Sequence, residues 1–188
     1  MKTVIFLIVA LMSISVVTAQ QQFSLERSIS GVQLEVFGVR AYHEIRLSNR
    51  ITLRAEAGLV TDDTWLPRYS AVTAPSFEES VFVLVPVVSV QPRIYFDLFN
   101  RGARGRKVEN NAVDFFAFCI TFAPDWVLAS SGEGSYTGGI SFVSTWGIRR
   151  NLGRNFEYEL GVGSGYAFGF DGSNGVVFRP HLRIGYRF

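Results

Sequence analysis

Residues 178–188 read FRPHLRIGYRF, and the two faces of that stretch decide the fold. Its even positions are Phe178, Pro180, Leu182, Ile184, Tyr186 and Phe188, whereas its odd positions are Arg179, His181, Arg183, Gly185 and Arg187. A β-strand turns successive side chains to opposite sides, so the segment presents one greasy face and one cationic face. Residues 156–168 repeat the scheme with an acidic reverse. Phe156, Tyr158, Leu160, Val162, Tyr166 and Phe168 share a face with Ser164, and Glu157, Glu159, Gly161, Gly163 and Gly165 lie opposite.

The same period runs upstream. Ile140, Phe142, Trp146 and Ile148 oppose Ser141, Thr145, Gly147 and Arg149, and Phe116, Phe118, Ile120 and Phe122 mark another strand. Val88, Val90, Ile94, Phe96 and Leu98 oppose Ser89, Gln91, Arg93, Tyr95 and Asp97. Ile51, Leu53, Ala55, Ala57 and Leu59 oppose Thr52, Arg54, Glu56 and Gly58. A strand ending at Leu47 makes seven. Residues 22–30 supply an eighth, with Phe23, Leu25 and Ile29 alternating against Ser24, Glu26 and Ser28, although Arg27 falls on the apolar face. Val32, Leu34 and Val36 change parity past Gly38 to Val39, Ala41, Ile45 and Leu47, which calls for a β-bulge near Gly38.

Residues 48–50 and 152–154 are tight connections, whereas 60–80 and 125–137 are long. Short turns at one end and long loops at the other describe an up-and-down meander. Residues 100–112 break the scheme, being long and basic on the short-turn side. Arg101, Arg104, Arg106 and Lys107 read there as a solvated loop, with an anionic-lipid or nucleic-acid contact as the sharper alternative.

The chain has 188 residues, 48% hydrophobic and 14% aromatic, which fits one folded domain, and its single Cys119 excludes a disulfide scaffold. Eighteen Lys and Arg against 16 Asp and Glu leave no nucleic-acid footprint. Residues 1–19, MKTVIFLIVALMSISVVTA, have a basic start, an apolar run and a small-residue end, the layout of a secretory signal peptide. The expected organisation is thus a leader over 1–19 and one barrel domain over 20–188, exported to the cell envelope.

Which face holds charge separates a membrane barrel from a soluble, lipocalin-like one. The apolar face is nearly free of it, as lipid demands: an Arg or Lys at mid-bilayer costs roughly 2–4 kcal/mol. In the soluble alternative the aromatics would line a ligand cavity and the charges would face water. Charges of both signs and Gly on one face, with aromatics towards strand ends, favour lipid. The expected fold is therefore all-β: an eight-stranded antiparallel up-and-down transmembrane β-barrel.

Charges turned into its lumen need partners. The expected network comprises Glu44, Arg54, Glu56, Arg93, Asp97, Arg149, Glu157, Glu159, Arg183 and Arg187. Pairing Leu47 with Ile51 sets Glu44 opposite Arg54 and Tyr42 opposite Glu56. The turn at 152–154 sets Arg149 opposite Glu157. A last hairpin centred on Gly172 lets Glu157 meet Arg187, with Glu159 diagonal to Arg183 and Arg187. Phe156, Tyr158, Tyr186 and Phe188 would form a girdle at the short-turn end.

The ending LRIGYRF, with Leu182, Ile184, Tyr186 and Phe188 alternating to an aromatic terminus, resembles the terminal signature of Gram-negative outer-membrane barrels. RLSN at 46–49 followed by 51–58, and TWGIRRNLG at 145–153, are similar to small Gram-negative outer-membrane β-barrel proteins of the uncharacterised eight-stranded type. The resemblance covers nearly the whole mature chain. It implies a bacterial outer-membrane location, contact with outer-membrane lipid, and recognition of the last strand by the barrel assembly machinery. It brings no catalytic residues.

Other chemistry is sparse. By parity His43 faces the apolar side and His181 the polar side; His181 with Ser173 and Asp171 is a conceivable triad that nothing specifies. Asp62 and Asp63 lack calcium-loop spacing. Gly161, Gly163 and Gly165 mimic a dinucleotide fingerprint, but no helix pattern follows. Trp65, Trp126 and Trp146 read as interfacial anchors or loop packing. The expected role is non-enzymatic, envelope-structural or surface-interacting through 60–80 and 125–137, with no cofactor, metal or nucleic acid and no ligand specified. A narrow channel for small ions or solutes is the alternative, and a lipid-modifying rim enzyme the third.

Overall fold

The computed structural model describes residues 23–62, 83–132 and 136–188. The chain forms β1 (Ser28–Glu35), β2 (Gly38–Arg46), β3 (Ile51–Asp62), β4 (Val83–Phe96), a short helix α1 (Leu98–Ala103), a 3-10 turn (Glu109–Asn111), β5 (Asp114–Ala123), a two-residue β6 (Ala129–Ser130), β7 (Gly139–Leu152), β8 (Phe156–Gly169) and β9 (Asn174–Arg187). Every barrel strand pairs antiparallel with its chain neighbour, β6 adds only to the end of β4, and β1 pairs with β9. The result is a closed, eight-stranded antiparallel barrel.

The residues of 22–30 are placed differently from the sequence expectation. Strand β1 begins at Ser28, and Ile29 points inward and is buried. Phe23 and Leu25 belong to no strand: they pack under the barrel against Tyr95, Leu98, Val113, Phe115 and Ala117. An apolar core at the barrel's end, rather than its outer wall, therefore claims these side chains. The parity change at Gly38 is not a bulge either. Glu35 pairs with Gly38, so Val36 and Phe37 form a two-residue hairpin and the chain reverses there.

One end, called lower here, carries both chain termini of the barrel, the β2–β3 and β7–β8 turns and the α1 connection. The other carries the β1–β2 hairpin, the β8–β9 turn and the two long connections, so length does not separate the ends as cleanly as expected. Two hairpins also sit one residue from their expected centres. Gly153 (φ 75°) opens a three-residue loop between Leu152 and Phe156, setting Arg149 opposite Glu159. Gly172 (φ 87°) takes the left-handed position at the end of its loop, so Glu159 faces Arg183 and Glu157 faces Gly185. A one-residue change of centre moves the pairing by two, which leaves every side chain on its original face.

The wall is inside-out relative to a water-soluble protein. Val88, Val90, Ile94, Phe116, Phe118, Phe142, Trp146, Leu160, Phe178, Leu182 and Ile184 are among its large exposed apolar side chains. In the described strands the only outward Asp, Glu, Lys or Arg are Asp114 and Arg150, bonded to each other at the lower rim (2.5 Å). Rings run along the wall, with Phe116, Phe118 and Trp146 between clusters at its two ends. Phe156, Tyr186 and Phe188 stack below, with centroids 5.2 and 6.4 Å apart, and Phe142, Phe168 and Tyr166 stack above.

Candidate functional site: the buried charge lattice

The lumen is layered. The apolar cluster around Leu25 closes its lower end, Cys119, Val143, Ala167 and Val177 form one apolar group above, and Val83, Val85 and Val87 form another. Between them inward positions on seven of the strands bring together Arg40, Arg54, Arg93, Arg149, Arg183 and Arg187 with Glu35, Glu44, Glu56, Glu157 and Glu159. Arg54, Arg149, Glu157 and Glu159 are 0% exposed, and Arg93 and Glu44 1%. Charges so buried persist only where each is paired and hydrogen-bonded.

Glu159 is the hub. It binds Arg93 through two contacts (2.9 and 3.2 Å) and Arg149 through two more (3.1 and 3.2 Å), with Arg54 and Arg183 both at 3.6 Å. His181 Nε2 lies 3.4 Å from the same carboxylate. Glu56 receives Arg54 Nε at 2.6 Å, Arg183 Nη1 at 2.9 Å and the Ser89 hydroxyl at 3.0 Å. Glu44 accepts from Tyr95 Oη (2.7 Å) and Asn111 Nδ2 (3.0 Å) and pairs with Arg149 Nη1 (3.0 Å). Glu157 accepts from Gln33 Nε2 (2.7 Å), Tyr42 Oη (2.8 Å) and Arg187 Nη1 (3.2 Å). Aromatic rings cover two of the guanidinium planes, with Arg54 over Tyr42 at 3.8 Å and Arg93 over Phe115 at 4.2 Å.

Gly185 makes room for this packing. A Cβ there would stand 2.7 Å from Gln33 Cγ and 3.1 Å from Glu157 Cγ, so the glycine is the space those two side chains occupy.

Of the ten residues expected in the network, nine are in it. Asp97 is not: it closes β4 in a left-handed conformation (φ 67°) and its carbonyl accepts the Arg101 amide, so its parity is lost at the strand end. Glu44 faces Arg54 and Tyr42 faces Glu56, the register read from the β2–β3 turn. The sequence reading did not include Glu35, Arg40 and Gln33. Their signal was present, because all three share the inward parity of β1 and β2, but placing the first strand at 22–30 obscured it.

The lower end is wired to the lattice. Asn111, 1% exposed with φ 56°, donates to Glu44 and accepts the Glu26 amide through Oδ1 (2.8 Å). Arg46 Nη1 donates to the Leu25 carbonyl (2.8 Å). Of the basic loop, Arg104, Arg106 and Lys107 are exposed as expected, but Arg101 is only 8% exposed.

The candidate triad is not assembled. Asp171 accepts from the Ser173 hydroxyl (2.6 Å) and amide (2.9 Å) inside the β8–β9 turn, whereas His181 sits beside Glu159. His43 does point outward, with its Nδ1 2.8 Å from Ser30 Oγ, and no carboxylate bonds its ring among the described residues. Trp146 stands on the outer wall; Trp65, Asp63 and the 1–19 leader lie outside the described residues. The Asp62 side chain does too. Comparison with models of protein families, with curated proteins and with solved structures brings no match.

Proposed function

We propose that this protein is a non-conducting transmembrane barrel of the bacterial outer membrane, serving envelope structure or surface interaction through the connections at its upper end. The observation that carries the closed-lumen reading is the dryness of the charged layer. Arg54, Arg149, Glu157 and Glu159 have no surface accessible to water, and apolar clusters lie below and above them. A conduit would need a wet path past those side chains; eight strands instead enclose a space that side chains fill.

The wall supports the membrane half of the reading. Outward positions of β9 from Val176 to Phe188 carry no charge. Twelve steps at about 3.3 Å each, tilted by roughly 40°, give a band on the order of 30 Å tall. The apolar band of an outer-membrane barrel is about 25 Å. Leaving this many large apolar side chains in water is what a soluble domain avoids. The leader, the resemblance of the LRIGYRF ending and the exposed aromatic wall agree with an outer-membrane address, reached through the barrel assembly machinery.

Planar-bilayer recording of refolded protein tests it. No steady unitary current is expected. Steady openings whose size changes when Arg183 or Glu157 is neutralised would overturn the closed-lumen reading and favour a narrow channel.

A further inference from the structure

The charge lattice leaves out one arginine whose stem is buried. Arg101 lies on α1 beneath the wall, 8% exposed, with its Nε buried and without a partner. Its side chain makes no hydrogen bond and no ion pair with the described residues, in contrast to the six buried arginines of the lattice, each of which has a partner. With it, three guanidinium groups meet two carboxylates. Its charged neighbours are Arg150, Asp114, Arg106 and Asp97, and Asp114 is already taken by Arg150 at 2.5 Å. Exposed Arg104 and Lys107 follow on the same connection. A buried Nε without an acceptor is costly, and a corner with more cations than carboxylates is stabilised when an anion joins it.

What lies above this corner limits the kind of anion. Asp114 and Arg150 are the outward residues at the lower ends of β5 and β7. Above them on the same outer face come Phe116 on β5 and, past Ile148, Trp146 on β7, which face each other across the two strands and are 45% and 48% exposed. A cationic corner under a bare aromatic wall fits a molecule with an anionic head and an apolar tail. A free anion would use only the corner.

We propose that Arg101, with Arg106 and Arg150, forms a rim site for the phosphate of an anionic glycerophospholipid whose acyl chain lies along Phe116 and Trp146. The site rests on the membrane reading above and adds a lipid preference to it.

The test places the refolded full chain in nanodiscs of phosphatidylcholine alone, or of equal parts phosphatidylcholine and phosphatidylglycerol. Retained lipids are then counted by native mass spectrometry. The wild type should keep phosphatidylglycerol over phosphatidylcholine. Arg101→Gln should reduce that enrichment about fivefold, the loss of one cation near a phosphate layer. Arg106→Gln should act in the same direction, and Arg154→Gln, on the β7–β8 turn, should leave it unchanged. Equal retention of the two lipids by the wild type, or an unaltered preference in Arg101→Gln, would overturn the site while leaving the membrane reading intact. Displacement of the lipid by soluble glycerol phosphate at matching concentration would overturn the lipid as its occupant. A wild type that enters neither kind of nanodisc would overturn both.

Discussion

Replacing Glu159 by Gln keeps its shape and removes one charge from the centre of the lattice. The wild-type lattice balances six arginines against five glutamates. The substitution leaves six against four, and the loss falls where Arg93 and Arg149 each make two contacts within 3.2 Å. At an effective dielectric of about 20 and charge centres about 4 Å apart, each of those pairs is worth on the order of 4 kcal/mol. Relief of the buried carboxylate's own desolvation returns several, so the net cost should be roughly 3–5 kcal/mol, typical of breaking one partner of a buried pair. Urea unfolding in micelles, followed by the shift between folded and unfolded bands on unheated gels, would read this as a midpoint lowered by roughly 1–2 M. Adding Arg93→Met restores the original charge balance. The double variant should therefore be more stable than Glu159→Gln alone, with a coupling on the order of 2 kcal/mol or more. Glu159→Gln within about 1 kcal/mol of wild type, or strictly additive single costs, would refute the claim that the lattice acts as one electrostatic unit.

Two further substitutions probe the wall and the lower closure. Leu182→Arg puts a cation on the outer face and should impair insertion by roughly 2–4 kcal/mol. Arg183→Leu, facing inward, should insert normally while lowering unfolding resistance; equal effects on insertion, measured by vesicle flotation, would contradict the assignment of faces. Asn111→Ala removes the link from Glu26 to Glu44 and puts Ala at a positive φ. It should cost about 2–4 kcal/mol and expose the segment around Leu25 to limited proteolysis, whereas unchanged protease resistance would mean that the segment is held without it.

Much of the fold was legible because a two-residue period is a strong signal, and each strand with Phe, Ile or Leu on one face and Arg, Glu or Gly on the other declares its own sidedness. The first strand was harder. Phe23 and Leu25 are as apolar as any wall residue, and only the presence of Leu98, Val113 and Phe115 beneath the barrel shows where they pack. Hairpin centres at Gly153 and Gly172 depended on which loop position each glycine takes. Of the lattice, membership followed from parity, but connectivity did not. Arg93 on β4 reaches Glu159 on β8, and Arg54 on β3 reaches Gln33 on β1. Such chords cross the barrel between strands that are not adjacent, so they follow from its diameter and not from any cross-strand pairing rule.

The joint between β1 and β9 spans only five residue pairs, Gly31 with Arg187 through Glu35 with Arg183, while β7 and β8 share fourteen. The cylinder is therefore a zipper of uneven length, and its shortest track is the one that joins the first strand to the last. Pulled apart by its two ends in a force spectrometer, the ring would split along that line before any other. The upper reach of β9, which meets only β8 along Asn174 to Leu182, would then lie at the lip of the tear.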